Sequence, residues 1–163
     1  MKRFLAIAAM TLLSVGAEAQ PATPPDNSPH KALLVDVDKD VKLEVLDWGG
    51  NGPPMIFLSG GGVTAHALDA FVPKFAAKHR VFAITRRGFG NSSKPQPLGD
   101  NYGPDRLGDD ILAVMAALGI NKPVLVGHSI AGEEMSSIGT RHPEKVKELI
   151  YLDGAYEYAF YNE

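Results

Sequence analysis

The pattern of apolar and polar residues begins with a predicted β-hairpin. Apolar and polar residues alternate over 41–48, which is typical of a strand with one face in solvent. An apolar stretch at 33–37 precedes it, and the turn residues 38–40 favour an antiparallel pairing of the two segments. Shorter and wholly apolar segments follow, as expected of central strands covered on both faces. They lie at 55–58, 81–85 and 123–126, and a sixth strand is predicted at 146–154.

Apolar residues at helical spacing separate these strands. The spacing predicts a helix after the third strand, a second helix beginning at Pro104 and ending before Gly119, and a third ending at His142. The first predicted helix carries its apolar residues on one face, at Leu68, Phe71, Val72 and Phe75. Strands alternating with helices indicate an α/β fold with a mainly parallel sheet flanked by helices.

The first 32 residues differ from the rest of the chain. A positive Met1–Arg3 segment, an apolar stretch at 4–15 and the small residues Ala17 and Ala19 predict a signal peptide over 1–19. Residues 20–32 are rich in proline and predict a flexible leader, so the folded domain is expected over 33–163. We therefore expect an exported protein, periplasmic or secreted, without a membrane attachment after cleavage.

The amino-acid composition excludes several kinds of functional site and partner. The chain has 163 residues, a net charge of -3 and no cysteine, which excludes disulfides, zinc thiolates and a cysteine nucleophile. The slightly acidic balance argues against a nucleic-acid partner. The side chains of Asp109 and Asp110 point in different directions from their predicted helix, so both are expected in solvent. His30, beside the leader, is also expected in solvent, and His66 is expected at the surface.

The chemistry is concentrated around Ser129. The strand at 123–126 leads into a Gly-His-Ser turn and then into a helical pattern. Such a turn lifts the serine above the end of the sheet, and the small residues Gly127 and Ala131 permit the close approach of strand and helix. The backbone amide of Ile130, at the positive end of the helix, would face an oxygen bound beside Ser129. These features predict half of an oxyanion hole.

These residues resemble the nucleophile turn of the α/β-hydrolase family, Gly-x-Ser-x-Gly, with Ala131 at the last position. The segment Ser59-Gly60-Gly61-Gly62 is similar to the family's His-Gly-x loop, and the resemblance implies that the amide of Gly61 is the other half of the oxyanion hole. The loop from Thr85 to Ser92 resembles the family's Asp-x-Arg-Gly-x-Gly-x-Ser, with Arg87 as a scaffold residue.

The resemblance implies the N-terminal part of a serine hydrolase, with Ser129 as nucleophile. Asp153, at the end of the sixth strand, could orient the catalytic histidine, although a turn-capping role is open as well. The family has eight strands and takes its histidine from a later segment, so we expect a partial domain that lacks the C-terminal strands, the cap and that histidine. The implied substrate is a small-molecule ester or related acyl compound, with no metal or organic cofactor.

Several alternatives are open at this stage. Ester, thioester, amide and carbon–carbon hydrolysis and peracid formation all suit a serine nucleophile, whereas epoxide and haloalkane chemistry need a carboxylate. The chain could also be an inactive fragment or a binding protein. A third alternative is an NADP-dependent reductase, because Gly60-x-Gly62-x-x-Ala65 fits a dinucleotide loop and Arg86-Arg87 could meet a 2′-phosphate. The hairpin before that loop argues against a reductase.

Overall fold

A computed structural model describes residues 28–155 and 157–160, and within them one six-stranded sheet forms the centre of the fold. The strand order is β1-β2-β4-β3-β5-β6. Pairing is antiparallel for β1 with β2 and for β2 with β4, and parallel for the other three pairs. The strands are β1 (Lys31–Asp38), β2 (Val41–Gly49), β3 (Pro54–Leu58), β4 (Arg80–Ile84), β5 (Val124–His128) and β6 (Glu148–Leu152). This arrangement confirms the predicted α/β fold and the N-terminal hairpin.

Two α-helices and several short 3-10 turns complete the described part of the chain. The helices are α1 (Pro104–Ala117) and α2 (Ala131–Arg141). The 3-10 turns are Ala65–Leu68, Val72–Phe75, Pro143–Lys145 and Glu157–Phe160. Among residues 28–155 and 157–160, no helix is both long and apolar enough to cross a bilayer.

The helix predicted after β3 is wrong, because two separate 3-10 turns occupy that segment. Pro73 has no backbone N–H, so it cannot donate to the carbonyl four residues earlier and a regular helix cannot continue through it. The apolar residues Leu68, Val72 and Phe75 nevertheless pack on the sheet as the pattern predicted. Their packing covers the second face of β2, which is buried on both sides of the sheet instead of being half solvated.

The core has two layers, one on each face of the sheet. Alternate residues of β2 contribute to both, with Leu43 and Val45 on the face covered by α1 and α2, and Leu46 and Trp48 on the face covered by the 3-10 turns. Burial of both faces explains the apolar character of the central strands. Within residues 28–155 and 157–160, strand β6 lies at one edge of the sheet and pairs only with β5.

The prediction for Asp110 is wrong, whereas the scaffold role of Arg87 is confirmed. The Asp110 side chain is 3% exposed and accepts two hydrogen bonds of 2.6 Å from the Arg87 guanidinium. Helix α1 packs on the sheet through Leu107 and Ile111, and Asp110 lies on that same buried side. Burial raises the pKa of Asp110, and Arg87 opposes the rise.

The N-terminal predictions fall mostly outside the described residues. The predicted signal peptide at 1–19 and the leader up to residue 27 lie there. Strand β1 begins at Lys31, two residues before the predicted start of the domain. The prediction of a solvated His30 is wrong, since its side chain is 3% exposed and its ring lies edge-on to Trp48 with the centroids 4.9 Å apart.

Candidate active site

Ser129 occupies a strained turn between β5 and α2. Its φ of +55° lies in the left-handed region, which a non-glycine residue rarely adopts. Backbone hydrogen bonds fix this conformation: the Ser129 N–H donates to the Leu152 carbonyl, and the Ser129 carbonyl accepts from Gly132 and Ala155. The side chain is half-buried at the carboxyl end of the central strand. The geometry of residues 127–132, here called the elbow, therefore agrees with the strand-turn-helix predicted from sequence.

Small residues are required on both sides of Ser129. A Cβ atom at Gly127 would lie 2.2 Å from Met135 Sδ and 3.0 Å from the Ala131 Cβ. A Cβ atom at Gly132 would lie 2.5 Å from the Ala155 carbonyl oxygen. Strand β5 and helix α2 can therefore meet at this angle only because these positions carry little or no side chain.

The loop after β3 lies directly against the elbow. Residues Ser59–Gly62, the glycine loop, approach so closely that a Cβ atom at Gly60 would be 3.3 Å from the Ser129 Cβ. A Cβ atom at Gly61 would be 3.5 Å from Cγ2 of Ile130. Within the described residues, no acceptor takes the backbone N–H of Gly61 or of Ile130. The two amides predicted for an oxyanion hole thus belong to neighbouring segments and are available to a ligand.

A buried ion pair fastens the glycine loop to α2. Arg86 donates to both carboxylate oxygens of Glu134, at 2.8 Å and 3.0 Å, and to the Ser59 carbonyl at 3.3 Å. Burial raises the pKa of the Glu134 carboxyl, and the Arg86 guanidinium opposes that rise. The sequence indicated only that Glu134 sits in the first helical turn; nothing in the local pattern pointed to its partner 48 residues away.

Asp153 and Ser129 both lie at the carboxyl ends of neighbouring strands, β6 and β5. Strands β5 and β6 are paired with His128 opposite Leu152, so Asp153 follows β6 beside the elbow. It is exposed and has a φ of +50°, like a turn residue. The placement agrees with the predicted rim position, and the role of Asp153 as an acid stays a prediction.

In the described part of the chain, no hydrogen bond joins the Ser129 hydroxyl to any of the five histidines. His128 is exposed at the end of β5, with Nδ1 close to Gly60. His79 lies 3.3 Å from the Pro53 carbonyl, and His142 follows the last turn of α2. His30 and His66 belong to a separate cluster with Asp69. The elbow and the glycine loop are thus assembled without a proton acceptor among these residues.

The structure contradicts the NADP-reductase alternative. Arg86 and Arg87 are 9% and 1% exposed and are held by Glu134 and Asp110, so neither guanidinium is available to a 2′-phosphate. The glycine loop also leads into a 3-10 turn and not into an α-helix, whose N-terminus would be needed for a pyrophosphate.

Comparison with known proteins identifies the family. The family model described as the alpha/beta hydrolase fold matches residues 53–161, more than half of the chain. The chain belongs to the α/β-hydrolase family. The match spans both the glycine loop and the elbow, and the family resemblance drawn from the sequence is confirmed.

Individual hydrolases of known name are similar to this chain. The 2-hydroxymuconate semialdehyde hydrolase of Pseudomonas sp. (strain CF600) is 35% identical over 133 residues, covering 80% of this chain and 46% of the relative. The fluoroacetate dehalogenase of Burkholderia sp is 33% identical over 132 residues, covering 80% and 43%. The crystal structure of a membrane phospholipase A, called a bacterial virulence factor, superposes with a TM-score of 0.72 at 28% identity, covering 78% and 41%. The α/β-hydrolase chain thus spans less than half the length of these relatives.

Proposed function

We propose that this α/β-hydrolase chain supplies the nucleophile and the oxyanion hole of a serine hydrolase. The observation that carries the proposal is the left-handed conformation of Ser129 opposite two amides that have no acceptor in the described residues. The Ser129 Oγ would attack the acyl carbon of a substrate, and its carbonyl oxygen would become an oxyanion. The N–H groups of Gly61 and Ile130 would donate to that oxyanion as its charge develops.

The reaction also needs a base. A serine hydroxyl is a weak nucleophile near neutral pH unless a neighbouring group takes its proton. Because no histidine is hydrogen-bonded to Ser129 in the described residues, we infer that the base comes from a segment outside them. Asp153 is the carboxylate best placed to orient such a histidine.

The substrate class follows from the nucleophile. An alkoxide from Ser129 suits acyl carbons, so we propose a small-molecule ester or a related acyl compound as substrate. Relatives named as a semialdehyde hydrolase and a phospholipase are compatible with that class. A relative is named as a dehalogenase, but haloalkane chemistry requires a carboxylate where this chain has Ser129.

We also propose that the protein is exported, on the basis of the signal-like residues 1–19.

The proposal is tested with a fluorophosphonate probe, which labels activated serines. The 163-residue chain is treated with the probe in the presence and absence of imidazole, a diffusible base, and the labelled peptide is mapped by mass spectrometry. We expect slow labelling of Ser129, accelerated about tenfold or more by imidazole. Ser129→Ala should abolish labelling, and Ser136→Ala, which changes a serine in the second turn of α2, should not.

Each other outcome counts against a defined part of the proposal. Labelling that survives Ser129→Ala would overturn the nucleophile. Rapid labelling that does not respond to imidazole would overturn the inference that the base lies elsewhere. Absence of labelling in both conditions would favour an inert fragment or a binding protein.

A further inference from the structure

A second group of polar side chains lies on the face of the sheet that carries the 3-10 turns. His30 precedes β1, and Glu44 lies on β2. His66 lies in the first 3-10 turn after β3, and Asp69 directly follows that turn. We propose that His30, His66 and Asp69 bind a divalent transition-metal ion of the kind represented by Zn²⁺. One ligand atom from each of the three residues lies within 4.8 Å of the other two.

Two nitrogen–oxygen separations in the cluster, each to a different oxygen of the Asp69 carboxylate, lie in the range found between neighbouring ligands of one ion. His30 Nδ1 is 3.4 Å from Asp69 Oδ1, and His66 Nδ1 is 3.6 Å from Asp69 Oδ2. A zinc ion with bonds of about 2.0–2.2 Å holds neighbouring ligand atoms about 3.3–3.6 Å apart. Both separations exceed those of an ordinary N–H···O hydrogen bond, about 2.7–3.2 Å. Asp69 Oδ1 is buried and accepts no hydrogen bond from the described residues.

The groups behind the ligands orient them for a metal. His66 Nε2 lies 3.3 Å from Glu44 Oε1, while its Nδ1 is on the side of Asp69. Ser28 donates a 2.8 Å hydrogen bond to Asp69 Oδ2. A metal-binding imidazole commonly donates its second N–H to a carboxylate, which fixes the tautomer and leaves the other nitrogen as the ligand.

Glu44 is the carboxylate that lies beside the Nε2 atom of His66. Its side chain is 2% exposed and accepts hydrogen bonds from Asn91 at 2.6 Å and Thr85 at 2.8 Å. These contacts fix the carboxylate in place beside His66 Nε2, where its negative charge would offset part of the charge of a bound ion.

Burial and exposure divide the cluster into a closed and an open side. The His30 side chain is 3% exposed and is wedged between Trp48 and His66, with ring centroids 4.9 Å and 5.3 Å away. His66 and Asp69 are partly exposed, which gives an ion a route of entry and a water molecule room to complete four-coordination. The ion would cross-link the segment before β1 to the turn that follows the glycine loop.

The test measures metal binding and does not depend on hydrolysis at Ser129. The untagged 163-residue chain is stripped with EDTA and titrated with Zn²⁺ by calorimetry and with Co²⁺ by visible absorption. We expect one ion per chain and the strong visible bands of tetrahedral Co²⁺. Saturating Zn²⁺ should also raise the unfolding temperature by about 5–10 °C.

Variants distinguish this site from incidental binding. His66→Ala and Asp69→Asn should weaken Zn²⁺ binding about a hundredfold or more, and Glu44→Gln about 10–100-fold. His79→Ala and His142→Ala, which remove histidines outside the cluster, should bind as the wild type does. Circular dichroism checks that each variant folds, and His66→Gln replaces any variant that does not. Absence of stoichiometric binding, or binding unchanged in the folded cluster variants, would overturn the proposal.

Discussion

At the scale of single residues, two consecutive arginines determine how the loops around Ser129 are held. Arg86 binds Glu134, and Arg87 binds Asp110 and the Asn101 carbonyl. Removing a buried charge from water is costly, so each carboxylate is tolerated only while its guanidinium is present. The planar fork of arginine matches both carboxylate oxygens at once, which a lysine cannot do. These two ion pairs therefore hold the loop after β4 in a fixed position.

The first prediction concerns Arg87→Lys. The variant keeps the charge but loses the two-point contact to Asp110, so we expect the free energy of unfolding to fall by about 2–4 kcal/mol. Urea denaturation measures the change. Arg106→Lys is the matched control, since Arg106 contacts Asp38 at 3.3 Å in a partly exposed pair and should change stability by about 0.5 kcal/mol or less. Equal losses in the two variants would contradict the argument.

At the scale of elements, the site depends on how closely β5, α2 and the glycine loop approach one another. The same small-residue requirement does not extend to every glycine. Gly127 is enclosed by Met135 and Ala131, whereas a Cβ atom at Gly61 would meet Ile130 only at ordinary contact distance. The sequence pattern indicated the elbow correctly because strand, turn and helix are adjacent in the chain. It could not indicate the contact of Arg86 with Glu134, which depends on tertiary packing.

The second prediction compares alanine at the two glycines. Gly127→Ala forces Met135 and the start of α2 to move, so we expect a loss of about 1–3 kcal/mol in the free energy of unfolding and slower probe labelling of Ser129. Gly61→Ala should leave stability within about 1 kcal/mol of the wild type. Thermal unfolding and the labelling rate measure both variants. A Gly127→Ala variant as stable as Gly61→Ala would show that the elbow is loosely packed.

At the scale of the whole molecule, the sequence predicted the layers of the fold better than its polar interior. The six strands and two α-helices follow from apolar periodicity, which is a local property. Asp110 was predicted in solvent as one of two diverging carboxylates on a helix, and His30 because it adjoins the proline-rich leader. In the structure Asp110 is buried against Arg87, and His30 is buried against Trp48. The contact of His30 with His66 likewise joins segments that are 36 residues apart in the sequence. Contacts of this kind carry no signal in local spacing.

The third prediction concerns the response of the whole fold to acid. The Arg80 guanidinium binds both carboxylate oxygens of Asp47 and holds the pKa of Asp47 below its ordinary value of 3.8. Because the folded pKa is the lower one, this contribution to stability is present above pH 3.8 and is lost as the pH falls through the folded pKa. Asp47→Asn should therefore cost about 1–2 kcal/mol at pH 7, and less at about pH 3 and below.

Urea denaturation at a series of pH values measures this difference. Asp36→Asn is the control, because Asp36 is 71% exposed and its ion pair with Lys42 should contribute little at any pH. A stability difference between the wild type and Asp47→Asn that is independent of pH would contradict the assignment of the effect to the carboxylate charge.

The backbone conformation at position 129 has one further consequence. A left-handed φ disfavours every residue with a Cβ atom, and glycine is the residue that adopts it without penalty. Replacing Ser129 with glycine should therefore relieve the backbone strain and raise the free energy of unfolding, while removing the proposed nucleophile.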